Sequence, residues 1–223
     1  MTDARERTRF AQTADLADVP GWAGVVMAVL RVVTQLVGIN LLMIAGTLAG
    51  GVVAGLAPAA SAARALTARL ATTDPSTSLW REFWSHWRAG FVRANLLALP
   101  FWAVGMLAVI DLWALGAADG AVRAAMGAAL LVVVLYLAVA LVYLPIVAGE
   151  HTDAWAPSVR FVLLAPALFP ARGFAILAVL AAVGVVYWFV PPLALLFGGA
   201  LPLFLTGMLA APAVGGAGAA PAR

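Results

Sequence analysis

"AAMGAALLVVVLYLAVALVYLPIV", residues 124–147, contains no charged side chain. An α-helix rises about 1.5 Å per residue, so a helix of this length can cross the roughly 30 Å hydrocarbon core of a bilayer. The whole chain is 65% hydrophobic and only 10% charged, with a mean hydropathy of +1.03. A soluble domain carries about 25% charged residues, and this chain has too few to cover a water-exposed surface. The sequence therefore predicts an all-α integral membrane protein.

Other uncharged stretches divide the chain into further spans. We predict about five transmembrane helices, at residues 32–57, 96–115, 124–147, 174–190 and 193–211. Amphipathic segments between them predict surface helices on the cytoplasmic side, at residues 58–71, 76–94 and 157–168. Pro202 lies inside the last span and predicts a kink there. One membrane domain, 25–212, thus lies between a polar segment at 1–24 and a Gly/Ala/Pro tail at 213–223 that we expect to be disordered.

The arginines predict the orientation of the chain. Every basic residue is arginine, as in proteins from GC-rich bacterial genomes. Eight lie in the loop at 58–95, in the loop before the fourth span and in the tail; five lie in the N-terminal segment, at Arg31 and at Arg123. Because loops rich in arginine stay on the cytoplasmic side, we predict a multi-pass protein of the bacterial cell membrane with cytoplasmic long loops and an external N-terminus.

Four glycines in "GTLAGGVVAG", residues 46–55, have a spacing that favours helix packing. Gly46 and Gly50 are four residues apart, as are Gly51 and Gly55, so each pair lies on one face of a helix. Small residues there allow two backbones to approach closely. The alternative is that these glycines reflect only the general frequency of glycine in membrane helices.

The stretch "SLWREFWSHWRAGFVRANLL", residues 78–97, combines aromatic and basic residues. On a helix its aromatic residues fall within a stripe of about 100°: Trp80, Phe83, Trp84, Trp87 and Phe91. The rest of the circumference carries the basic residues Arg81, Arg88 and Arg93. This pattern predicts a helix lying in the headgroup layer, with its aromatic face on lipid or on a protein partner. Nucleic acid is excluded as a partner, because base stacking and phosphate binding would need both residue types on one surface.

Several of these segments together resemble a known family. They are "GINLL" in the first span, "GLAPAASAARAL" at its exit, the aromatic and basic stretch, and "AVIDLWAL" at the end of the second span. The succession resembles the YesL-like bacterial membrane proteins, a family of unknown function, from about Val32 through the fifth span. The resemblance implies no enzymatic activity. It also implies a link to sugar uptake, because such proteins are often encoded beside genes for carbohydrate use and sugar ABC transporters.

Two polar residues inside predicted spans are candidates for function. Asp111 is the only acid within a span, and an intramembrane carboxylate can couple transport to protons or cations. It also lies four residues from the end of its span, beside Trp113, where an aspartate costs little. Asn40, like Gln35, can hydrogen-bond to another helix, and we favour this structural role over a substrate site.

The remaining chemistry is sparse. A metal site is a weak alternative at "EHTD", where Glu150, His151 and Asp153 could be joined by His86 from the other cytoplasmic segment. The chain has no cysteine, and its sequence has no HExxH spacing, P-loop, nucleophile elbow or dinucleotide motif. We therefore expect no cofactor and no enzymatic activity.

Two functions remain open. The first is a non-enzymatic accessory protein that docks through its surface helices to sugar ABC-transporter subunits or to another membrane protein. The alternative is a small solute transporter or channel, in which Asn40 and Asp111 line the path.

Overall fold

The computed structural model describes residues 22–71, 78–150 and 154–218. These ranges form helices and contain no β-strand. In chain order the helices are α1 (Trp22–Ala49), α2 (Val53–Ala71), α3 (Leu79–Leu115), α4 (Gly120–Glu150), α5 (Trp155–Leu168), α6 (Pro170–Phe189), α7 (Pro191–Phe197) and α8 (Ala200–Gly218). Four of them, α1, α3, α4 and α6, are long and apolar enough to cross a membrane, and the bent pair α7–α8 would be a fifth span. The predicted all-helical membrane fold is confirmed.

The first predicted span, 32–57, is wrong at both ends. Helix α1 begins at Trp22 and ends at Ala49, and the chain then reverses into α2. Gly51 and Val52 have φ angles of 73° and 64°, the left-handed region in which a helix cannot continue. Three of the four glycines, Gly50, Gly51 and Gly55, therefore lie in a tight hairpin between two helices, whereas Gly46 lies within α1.

Helix α2 lies inside the bundle and is not the surface helix predicted at 58–71. Ten of its residues are buried, among them Pro58, Arg64 and Thr67. Its small side chains allow this position, since alanine, glycine and serine let α1, α3, α4 and α8 all pack against it.

Helix α3 joins two segments that the sequence separated. The predicted surface helix at 76–94, of which residues 76 and 77 lie outside the described ranges, joins the predicted span at 96–115 in one continuous helix of 37 residues, Leu79–Leu115. At about 1.5 Å per residue it is about 55 Å long, well beyond the hydrocarbon core. Its first four turns, residues 79–94, therefore form a rigid extension of the span, which we call the arm.

The last span is broken, but not at Pro202. Helices α7 and α8 meet at an angle of 67°, and the break lies at Gly198 and Gly199. Pro202 lies in the first turn of α8, where its missing N–H removes no helical hydrogen bond. Part of the predicted disordered tail at 213–223 is also helical, because α8 continues to Gly218.

Two apolar clusters hold the helices together. The larger one surrounds the C-terminal part of α4, where Tyr143 is fully buried, and includes side chains from α2, α3, α5, α6 and α8. The other joins α1 and α2 to Phe83 of α3 and Ala200 of α8. The second cluster positions the arm of α3.

Candidate functional site

The aromatic residues of α3 form a continuous row of ring contacts. The ring centroids are 5.7 Å apart for Trp80–Trp84, 5.6 Å for Phe83–Trp84, 5.3 Å for Trp84–Trp87 and 4.8 Å for Trp87–Phe91. The first three pairs are edge-to-face, the geometry that the ring quadrupoles favour. The sequence predicted that these aromatic residues share one face of a helix.

This row packs on protein, which corrects the prediction of a headgroup-layer helix. Phe83 is fully buried, and Trp84 and Trp87 are half-buried against the cluster of α1 and α2. A Cβ atom on Gly46 would lie 2.9 Å from the Phe83 ring and 3.1 Å from Trp87. Gly46 therefore makes room in α1 for the aromatic row. Trp80, at 63% exposure, is the member of the row that faces outward.

Gly50 and Gly55 form the other close contact. A Cβ atom on Gly55 would lie 2.2 Å from the carbonyl oxygen of Thr47, and one on Gly50 would lie 2.2 Å from the Cα atom of Gly55. The hairpin between α1 and α2 closes only because both lack side chains. Gly51 has nothing within 4 Å of such a Cβ atom and serves the turn rather than helix packing.

The side of the arm that faces away from the cluster of α1 and α2 is exposed and basic. Arg81, Ser85 and Arg88 are exposed, and together with Trp80 they form what we call the outer face. A shallow groove runs across it and is also lined by Trp84 and Ala89. The arm thus buries its aromatic side and presents two arginines and a tryptophan outward.

An ion pair fixes the start of the arm to α2. Arg69 Nη1 lies 2.6 Å from Glu82 Oε2, and both side chains are partly buried. Phe83, the residue after Glu82, packs against α1, so the first turns of α3 are held to two helices. The outer face is therefore presented by a fixed scaffold.

A separate pocket of about 300 Å³ lies between α2, α3 and α4. Its lining includes Ser61, Arg64, His86, Arg93 and Gly149. Arg64 is buried at 7% exposure, whereas His86 is exposed at the rim. Two of these residues, Arg64 and Ser61, had no predicted site role, because an arginine in an alanine-rich helix gives no periodic signal that it faces inward.

The structure does not test the weak metal alternative. Of its four residues only His86 has a described side chain, and it lines this pocket. The side chain of Glu150 and residues His151 and Asp153 lie outside the described part of the chain. Within the described ranges no three His, Asp or Glu side chains come together to hold a metal ion.

Asn40 holds the break between α7 and α8. Its Nδ2 donates to the Leu195 carbonyl oxygen at 2.8 Å, and its Oδ1 accepts from the amides of Gly199 at 2.9 Å and Ala200 at 3.4 Å. The side chain is 2% exposed. Asn40 therefore caps the N-terminus of α8, the inter-helix role that we favoured from the sequence.

Asp111 lies on the exposed side of α3, one turn before the helix ends at Leu115. Its neighbour Trp113 is 82% exposed. The structure does not bring Asp111 together with Asn40 or with the pocket.

One comparison with known proteins matches a part of the chain. Residues 36–112, about a third of its length, match a family described as protein of unknown function, DUF624. The matched region runs from α1 through α2 and nearly to the end of α3, and so covers the arm and most of the pocket. No curated protein matches the chain, and no solved structure does.

Proposed function

We propose that the protein is a non-enzymatic accessory component of a membrane assembly for carbohydrate uptake, and that it docks to its partner through the outer face of α3. One observation carries this proposal: the arm packs Phe83, Trp84 and Trp87 of its aromatic row inside the bundle and leaves Trp80, the exposed member of that row, at the surface beside Arg81 and Arg88. Tryptophan and arginine are the residue types most enriched at the energetic centres of protein interfaces.

The rigidity of the arm supports docking. Binding costs less when the contact residues are already ordered, because little conformational entropy remains to be lost. The Arg69–Glu82 ion pair and the buried Phe83 hold the arm before any partner arrives. Two arginines favour an acidic partner surface. The link to sugar uptake rests on the resemblance to the YesL-like proteins, with which the match to an uncharacterised family is consistent.

A triple variant tests the docking face. Trp80→Ala with Arg81→Gln and Arg88→Gln should reduce recovery of the partner at least about tenfold, because it removes the anchor residues of the interface. The measurement is affinity purification from native membranes in mild detergent with quantitative mass spectrometry. Alanine at Trp84 or Trp87 would not isolate docking, since both side chains pack against α1.

The matched control has the same residue changes elsewhere. Trp113→Ala with Arg123→Gln and Arg160→Gln alters one exposed tryptophan and two exposed arginines away from the arm. It should recover the partner like the wild type, and both triple variants should keep the wild-type thermal midpoint. Equal recovery with the outer-face variant, or a wild-type protein that brings down no stoichiometric partner, would contradict the proposal.

The second candidate function is transport, and the broken pair α7–α8 favours it. Discontinuous helices line the binding sites of many transporters. Here the helix ends at the break are bound to Asn40. If the protein moves a solute, we expect the path to pass this break and to leave Asp111 aside.

The variant Asp111→Asn distinguishes a transport path that passes only the break between α7 and α8 from one that also includes Asp111. Because Asp111 is exposed at the end of α3, the variant should keep wild-type stability and wild-type solute flux in proteoliposomes. Asp119→Asn, an exposed aspartate in the following turn, is the control for loss of one negative charge there. A selective loss of flux in Asp111→Asn would show instead that this carboxylate takes part in coupling.

A further inference from the structure

The pocket between α2, α3 and α4 has the dimensions and the polarity of a binding site for a small anion. Its volume of about 300 Å³ is at the lower end of the range for ligand pockets. Among its described lining residues two are arginines, one is histidine and none is acidic. It adjoins the outer-face groove at Ala89 but is not lined by Trp80, Arg81 or Arg88, so the following inference does not depend on the docking proposal.

Protein contacts orient both arginines. Arg64 Nη2 lies 3.4 Å from the Gly207 carbonyl oxygen of α8, and Arg93 Nη2 lies 3.4 Å from the Ser158 hydroxyl of α5. A guanidinium group carries five N–H donors in a planar fork, so an arginine that is held by the protein can also bind an anion. Such a fork matches the oxygen atoms of a phosphate group.

Gly207 gives the guanidinium group of Arg64 its position. A Cβ atom on Gly207 would lie 2.8 Å from both Cζ and Nε of Arg64. The side chain therefore occupies space that any other residue at 207 would fill. Arg64, which also lines the pocket, is buried at 7% exposure, whereas His86 of the same lining is exposed.

The pocket lies at the level expected for lipid headgroups. Gly90, in its lining, is 25 helical residues from the end of α3 at Leu115. That separation corresponds to about 37 Å along the helix axis, slightly more than the roughly 30 Å hydrocarbon core. If the turn between α3 and α4 is at one membrane surface, the pocket is at the other.

We propose that this pocket binds a phosphate group through Arg64 and Arg93. The phosphate belongs either to the headgroup of an anionic phospholipid or to a soluble phosphorylated ligand. Both sources offer the same chemistry to the arginines.

The experiment uses the full chain, purified in neutral detergent and freed of lipid. One arm measures retention of phosphatidylglycerol against phosphatidylcholine by native mass spectrometry. The other measures the rise in thermal midpoint with inorganic phosphate, compared with sodium chloride at equal ionic strength. Preferential retention of phosphatidylglycerol identifies a lipid site, and stabilisation by inorganic phosphate alone identifies a soluble ligand.

Variants connect the binding to the pocket. Arg64→Gln and Arg93→Gln should each weaken binding of the successful probe about tenfold, the effect of losing one charge-assisted contact. Gly207→Ala should also weaken it, because it keeps both charges but displaces the Arg64 side chain. Arg123→Gln, the same change on an exposed arginine at the start of α4, should have no effect. If Arg64→Gln does not fold, Arg93→Gln carries the test. Failure of both probes to bind, or wild-type binding by Arg93→Gln and Gly207→Ala, would overturn the proposal.

Discussion

Phe83→Ala should lower the free energy of unfolding by about 3–5 kcal/mol, the usual cost of emptying a buried phenylalanine site. Phe83 is fully buried between α1 and α2, and it also makes an edge-to-face contact with Trp84. The cavity cannot close easily, because Gly46 on the facing helix has no side chain to fill it. Unfolding in detergent, followed by tryptophan fluorescence, measures the loss.

Trp80→Ala is the matched control for Phe83→Ala. Trp80 belongs to the same aromatic row but is 63% exposed, so its removal should cost about 1 kcal/mol or less. Similar losses for the two variants would mean that the aromatic row is not packed against α1. That result would support the predicted position of the arm in the lipid headgroup layer.

Asn40→Leu should destabilise the protein by about 3 kcal/mol or more. Leucine has the same branched arrangement of side-chain heavy atoms but leaves the Leu195 carbonyl and the amides of Gly199 and Ala200 without the partner they have now. Each buried polar group that loses its hydrogen bond costs about 1–3 kcal/mol. The bend at Gly198 and Gly199 should loosen, and limited proteolysis should then cleave there faster.

Gln35→Leu provides the comparison. Gln35 is also an amide of α1, but it is half-buried where Asn40 is fully buried, and it makes no hydrogen bond to the break. Leucine there should change stability by less than about 1 kcal/mol. A loss as large as that of Asn40→Leu would show that the cost comes from any polar residue of α1 and not from capping α8.

The sequence predicts the long apolar helices well, and the reason is physical. A stretch such as 124–147 can satisfy its backbone in lipid only as a helix, so composition alone determines its structure. The hairpin between α3 and α4 follows in the same way, because four residues, Gly116 to Asp119, cannot connect the two helices otherwise.

The arm of α3 shows where sequence patterns become ambiguous. An aromatic stripe at helical spacing occurs both on a helix lying on lipid and on a helix packed against protein. The deciding residue is Gly46, about forty positions away, because its missing side chain lets Phe83 and Trp87 approach α1. Such a pairing is a property of the tertiary structure and has no local signal.

The prediction of a surface helix at 58–71, where α2 is buried, was wrong for a related reason. Its two arginines and its alanine-rich composition suggested a surface helix, yet Arg64 is buried at 7% exposure and Arg69 pairs with Glu82. A buried arginine is tolerated when another helix supplies a polar partner, and the partner of Arg64, the Gly207 carbonyl, lies on α8, far along the chain. The pocket could therefore not be predicted from the local pattern of α2.

One measurement tests the central claim, that residues 79–115 form one continuous helix whose first turns are an extension of the span. Because the chain has no cysteine, Ser85→Cys and Leu112→Cys can be spin-labelled without background, and both positions are exposed. A continuous helix places their Cα atoms about 40 Å apart, and pulsed electron spin resonance in nanodiscs should give a narrow distribution near that value. A distance near about 30 Å, expected if the chain turned through a right angle at Asn95 to lie on the membrane, would contradict the account.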